Sequence, residues 1–251
     1  MYALVTGASS GIGWALSREL AAIGYDLILV ARRKDRLIEL KHELQAIYAC
    51  DCVCMEYDLS DHKNCETMFL ECKKYPIRVV INNAGFGKTG NYESIELSDE
   101  LSMIHTNIDA VHILTKLFAR HMKKGIILNV ASIAAFYPIP MMAAYGATKS
   151  YVLNYSRAVN YELKKAKKQV KICVLCPGPV NTEFNQVAGA DFSLKSMTPE
   201  RCAELAIAGM RKGKELIVPG ATTKIMHLLS HISPSLIALP VEYRIQTKKM
   251  K

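Results

Sequence analysis

Tyr2-Ala3-Leu4-Val5-Thr6-Gly7-Ala8-Ser9-Ser10-Gly11-Ile12-Gly13 is the stretch on which the fold turns. Tyr2 to Thr6 is a short apolar strand. The glycine-rich turn after it runs into a helical pattern with apolar residues at Ile12, Ala15, Leu16, Leu20 and Ile23, closed by Gly24. Glycines at Gly7, Gly11 and Gly13 permit a tight turn and let backbone N–H groups approach a pyrophosphate at the helix N-terminus. A glycine-rich turn alone is a weak signal, because tight strand-to-helix turns need glycine for steric reasons. Its place in a strand-turn-helix unit makes a dinucleotide the expected ligand.

Working outward, the same alternation repeats. Asp26 to Ala31, Asp51 to Tyr57, Ile77 to Asn82, Gly125 to Ala131, Val170 to Cys176 and Glu215 to Val218 read as strands. Helical patterns fill the gaps over Lys34 to Tyr48, Ser60 to Lys74, Ser98 to Lys123, Tyr145 to Lys168 and Thr198 to Lys212. Ile77 to Asn82, Gly125 to Ala131 and Val170 to Cys176 are near-continuous apolar runs, as strands covered on both faces require. This order predicts an α/β fold with a doubly wound, seven-stranded parallel sheet in a single domain, its ligand at the carboxyl ends of the strands. Residues 1–219 form the expected catalytic domain and 220–251 an amphipathic C-terminal extension.

Composition narrows the class. The 251 residues are half apolar and suit one domain with one large core. The formal charge, 32 − 23 = +9, is scattered in clusters such as Lys164 to Lys168 and Arg211 to Lys214, as solvated helix ends are, and not gathered for nucleic acid. Eight cysteines follow no regular framework, which points to reduced thiols in a cytoplasmic protein. Cys50, Cys52 and Cys54 alternate as strand residues do, and His227 and His231 lack the glutamate of a zinc-protease motif, so no metal is expected. Met1 stands directly before the first strand, and the expectation is that no targeting segment precedes the fold.

Further motifs carry the chemistry. Asp58-Leu59 follows the third strand, Asn82-Asn83-Ala84-Gly85 the fourth, Ser132 the fifth and Pro177-Gly178-Pro179-Val180-Asn181-Thr182 the sixth; Asn107 lies in the helix between the fourth and fifth, and Tyr145 and Lys149 open the next helix. With the Gly7, Gly11, Gly13 spacing, this set resembles the short-chain dehydrogenase/reductase family through most of the chain. The resemblance implies a Rossmann-type fold, a catalytic tetrad of Asn107, Ser132, Tyr145 and Lys149, and a homodimer or homotetramer. It also implies cofactor contacts at Gly7, Ser9, Ser10, Gly11, Ile12, Gly13, Asp58, Leu59, Asn83, Ala84, Gly85, Tyr145, Lys149, Pro177, Gly178, Val180 and Thr182. Asn107 would hold a water linked to Lys149.

The tetrad can also be argued from its residues. Tyr145 and Lys149 lie one helical turn apart on one face. An ammonium favours a neighbouring phenolate and would bring the phenol, whose free pKa is about 10, toward working pH. Ser132 can orient a substrate oxygen. Each residue has a commonplace alternative: a lone tyrosine is often surface, a lone serine often a cap, and Asp58 a turn former beside Ser60. Coincidence of all four tetrad residues with the glycine motif is hard to sustain, whereas the functional reading of Asp58 rests on the resemblance. At the end of the second strand no acid is present for the ribose hydroxyls of NAD; the sequence reads Arg32-Arg33-Lys34, and guanidinium groups suit a 2′-phosphate, so NADP(H) is favoured over NAD(H), with Arg32 the principal contact and Ser9 a second.

Loops over Phe86 to Leu97, Ile133 to Ala144 and Glu183 to Met197 would cover the nicotinamide. Phe136, Tyr137, Pro138, Met141 and Met142 make the second apolar, which points to a small lipophilic carbonyl or alcohol substrate. The expected activity is NADPH-dependent reduction of such a carbonyl. Two other classes stand beside it: a cofactor-binding scaffold, which an intact tetrad opposes, and a peripheral membrane protein held by Ile225, Met226, Leu228, Leu229, Ile232, Leu236, Ile237 and Leu239. A tail of that kind is more often a lid or subunit contact.

Overall fold

The computed structural model describes residues 1–189, 196–230, 239–244 and 247. Seven strands, β1 (Tyr2–Thr6), β2 (Asp26–Ala31), β3 (Cys52–Glu56), β4 (Ile77–Asn82), β5 (Lys124–Val130), β6 (Gln169–Leu175) and β7 (Leu216–Ile217), form one sheet in the order β3-β2-β1-β4-β5-β6-β7. Every strand pair is parallel. The order reverses between β1 and β4, which opens a crevice at their carboxyl ends.

Alternation along the strands explains the continuous apolar runs. Ala3 and Val5 point into one core, beneath helices α1 (Gly11–Ala22), α2 (Lys34–Ile47) and, later in the chain, Pro199–Arg211. Leu4, Ile28 and Val30 point into the other, beneath α3 (His62–Cys72) and Ala110–His121. The cysteines follow the same rule: Cys173 packs in the first core and Cys176 on the opposite face. All eight cysteines are free thiols.

Two helix details depart from the sequence reading. Helix α3 begins at His62, later than the expected Ser60, and is capped by Asp61, whose carboxylate accepts from the Lys63 N–H at 2.8 Å. The helix expected over Ser98 to Lys123 is α4 (Leu97–Ile104) joined to α5 (Ala110–His121) by a π-helical turn, His105–Asp109. The wider turn places Asn107 at its centre, fully buried. Asp109 anchors it, one carboxylate oxygen meeting both His62 Nε2 and His105 Nδ1 at 2.8 Å. The remaining helices are α6 (Ala143–Lys165), α7 (Phe184–Ala188), α8 (Pro199–Arg211) and α9 (Ala221–Ser230). No helix of the described residues is long and apolar enough to cross a membrane.

Candidate active site

A cleft of about 650 Å³ lies at the carboxyl ends of the strands. At its floor the glycine turn is clamped by the segment after β4. Thr6 Oγ1 accepts from the N–H groups of Asn83 and Ala84 at 3.0 and 3.1 Å, and Asn83 Nδ2 donates to the carbonyls of Thr6 and Gly7 at 3.0 and 3.2 Å. The turn has no room for side chains: a Cβ on Gly7 (φ +65°) would meet Asn83 Nδ2 at 2.8 Å, and one on Gly11 (φ +54°) would meet Thr182 Cγ2 at 2.9 Å. Ser10 opens α1 without a side-chain cap, so the first-turn N–H groups are left for an anion in the cleft. This cradle fits a dinucleotide pyrophosphate.

Almost every residue expected at the cofactor lines this cleft: Gly7, Ser9, Ser10, Gly11, Ile12, Arg32, Arg33, Asp58, Leu59, Asn83, Ala84, Gly85, Ser132, Tyr145, Lys149, Pro177, Gly178, Val180 and Thr182. Gly13 and Asn107 stand behind it. Gly13 supports the turn, since a Cβ there would lie 2.6 Å from Asn83 Nδ2.

At the other end of the cleft Ser132, Tyr145 and Lys149 are 9, 8 and 5 % exposed. Lys149 Nζ donates to the Val130 carbonyl at 2.9 Å and lies 5.8 Å from the centre of the Tyr145 ring. Burial pulls Lys149 down to about 8, the nearby Cys176 opposing. Burial pushes Tyr145 up to about 12; a hydrogen bond with Ser132 works against that rise and Cys176 adds to it. In the protein without cofactor, burial therefore dominates both groups, favouring the neutral phenol and the neutral amine. Cys176, fully buried beside both, was read from sequence only as a strand residue.

Asn107 uses its side chain to hold neighbouring segments together. Its Nδ2 donates to the Phe86 carbonyl at 2.9 Å and to Thr148 Oγ1 at 3.1 Å, and its Oδ1 accepts from the Phe86 N–H at 3.1 Å. The side chain ties the end of the glycine-containing segment after β4 to α6.

The substrate side is apolar, with a different membership from that expected. Tyr137, Ile139, Met142, Phe184, Val187 and Met226 line it. Phe136 turns away to pack on His227, ring centres 4.1 Å apart, and Met141 (φ +68°) uses its carbonyl to accept from the Gly90 N–H at 2.9 Å. Thr89 N–H donates to the Ala188 carbonyl at 2.9 Å, so the three covering loops are bonded to one another. Residues 190–195 of the third loop, and Ile232, Leu236 and Ile237 of the tail, lie outside the described residues.

The short chain dehydrogenase family model matches residues 1–192. The chain belongs to this family. Among its curated relatives, 11-beta-hydroxysteroid dehydrogenase-like 2 of Arabidopsis thaliana is 28 % identical over 250 residues, covering 96 % of this chain and 80 % of the relative. A short-chain dehydrogenase from Sphingobium yanoikuyae, solved in complex with NADPH, superimposes with a TM-score of 0.81 at 29 % identity, covering 88 % of each chain. One from Burkholderia phymatum, solved with NAD, shares the fold with a TM-score of 0.84 at 20 % identity, covering 92 % of each chain. This short-chain dehydrogenase is thus an oxidoreductase acting on CH–OH groups with a nicotinamide cofactor.

Proposed function

We propose that this short-chain dehydrogenase reduces a lipophilic ketone or aldehyde with NADPH, and that Tyr145 is the proton donor. The carrying observation is the convergence of Ser132, Tyr145 and Lys149 at the apolar end of a cleft whose far end holds Ser9 and Arg33. When bound, the nicotinamide supplies hydride to the carbonyl carbon.

Burial keeps the proton on Tyr145 until a substrate oxygen arrives. The Ser132 hydroxyl orients that oxygen, and Tyr145 gives up its proton as negative charge develops there. A protonated Lys149 then favours the phenolate left behind. Asn107 is a positioning residue that fixes Phe86 and Thr148 around them.

The preference for NADPH rests on the two arginines. Arg33, rather than the sequence-favoured Arg32, is the organised one: its guanidinium donates to Ser9 Oγ at 3.2 Å, whereas Arg32 is 70 % exposed and approaches Asp58 no nearer than 4.0 Å. A guanidinium and a hydroxyl side by side are suited to a phosphate monoester.

Turnover of NADPH across a ketone panel tests the reading. Tyr145→Phe removes the proton donor but keeps the ring, so kcat should fall about a hundredfold or more. NADPH affinity should stay within about threefold, because the variant loses none of the phosphate contacts. Near-normal turnover by the variant would remove Tyr145 from the chemistry.

A further inference from the structure

Glu183 follows Thr182 directly and precedes α7, yet it bonds across the cleft. Its Oε2 accepts from Arg33 Nη2 at 2.8 Å, and that same nitrogen donates to Ser9 Oγ at 3.2 Å. The partners are 150 positions apart in sequence, both line the cleft, and both side chains are 45 % exposed. A carboxylate thus engages the guanidinium that is suited to a 2′-phosphate. The next residue, Phe184, packs on the Tyr145 ring with centres 5.4 Å apart, and it is held tightly, since a Cβ on Gly87 would meet its Cζ at 2.7 Å. The backbone at Glu183 therefore has little freedom to drift away from Arg33.

We propose that Glu183 is a cofactor-selectivity residue: its carboxylate occupies Arg33 in the free enzyme and is exchanged for the 2′-phosphate of NADP(H). This rests on the reading of Arg33 as the phosphate contact. An exposed ion pair is weak, and a phosphate monoester carries more charge and more acceptor oxygens than a carboxylate, so the exchange runs toward the phosphate. A cofactor without that phosphate offers Arg33 nothing in return and leaves the pair closed. Glu183 then acts as a competitor that NADPH displaces and NADH does not.

Equilibrium binding of NADPH and NADH, followed by reduced-nicotinamide fluorescence, tests this without turnover. Glu183→Gln removes the competing charge, and at low ionic strength should tighten NADPH by about two- to fivefold, the range of a weak surface pair. NADH should tighten by clearly less, and the difference should shrink in high salt. Arg33→Met separates the two levels of the argument: it should weaken NADPH at least tenfold, and Glu183→Gln added to it should no longer change the NADPH to NADH ratio. An Arg33→Met protein that binds NADPH as tightly as wild type would overturn the phosphate reading and this inference together. An Arg33→Met loss accompanied by a Glu183→Gln variant that shifts both cofactors equally, shifts neither, or weakens NADPH would overturn the role of Glu183 alone.

Discussion

Lys149 buries an ammonium in a site where it donates to the Val130 carbonyl, at 2.9 Å. Its pKa falls from 10.5 to about 8 because burial penalises the charged form. A depressed folded pKa means that its contribution to stability is present above 10.5, the ordinary value, and is lost as pH falls through about 8. Tyr145 works in a separate window: raised from 10.0 to about 12, it contributes stability below pH 10 that is lost as pH rises through about 12. Between pH 7 and 9.5 the lysine therefore acts alone of the two. Lys149→Met removes the titration but leaves every other group in place. In urea unfolding of the cofactor-free protein, wild type should gain on the order of 1–2 kcal/mol relative to this variant over that interval, at most roughly 1.4 kcal/mol per pH unit. A stability difference constant with pH would show that the ammonium is better solvated than its burial implies. The burial that shifts both groups was itself out of reach of sequence reasoning. The spacing of Tyr145 and Lys149 reveals that they share a helix face, but not that Val130 and Cys176 surround them.

At the scale of elements, the strands were the most legible part of the chain, because a run such as Val170 to Cys176 is explained by cover on both faces and little else. Helix interiors were legible to a similar degree, whereas the π-helical turn at His105–Asp109 was not. Nothing in residue type distinguishes an i→i+5 turn from the α-helix around it; the turn is held by Asp109 reaching two histidines, one of them on α3. Asn129 was hidden for a related reason, since a single polar residue inside the apolar run from Gly125 to Ala131 does not disturb the pattern. It proves to be the hub of a buried network. Its Oδ1 accepts from Asn82 Nδ2 at 2.8 Å and from Thr115 Oγ1 at 3.2 Å, and its Nδ2 donates to Ser156 Oγ at 2.8 Å. These bonds join β4, β5, α5 and α6. Asn129→Leu keeps the branched shape with bulkier methyl groups, takes a buried partner from Thr115 Oγ1 and Ser156 Oγ, and leaves Asn82 Nδ2 only its bond to Thr115 Oγ1; each buried group so orphaned costs about 1–3 kcal/mol. The variant should lose about 2–4 kcal/mol in chemical denaturation, against about 1 kcal/mol for Ser156→Ala. Equal losses for the two would mean that the network is not centred on Asn129.

Across the whole molecule, the sheet gathers onto one rim side chains that the sequence keeps far apart. The cofactor half was legible because its glycines and motifs are tied to backbone geometry. The substrate half was not, because its wall comes from distant segments whose contact no local pattern announces. Met226 is the clearest case. After β7 the chain turns at Gly220 (φ +88°) into α9, which brings Met226 to the cleft and His227 onto Phe136, while Ile225, Leu228 and Leu229 remain exposed. We propose accordingly that α9, at the start of the extension expected over 220–251, closes the apolar end of the pocket. Met226→Ala should test that reading cleanly. The substitution removes apolar contact from the substrate side and touches none of the cofactor cradle, so NADPH affinity and kcat should stay near wild type. For a bulky lipophilic ketone, losing part of the roughly 1.5–3 kcal/mol that a buried methionine side chain contributes should raise KM about three- to tenfold. A small ketone that does not reach α9 should be handled as before. If KM for bulky and small ketones rises alike, or if NADPH affinity falls with it, α9 supports the fold of the cleft as a whole and does not line the substrate's path.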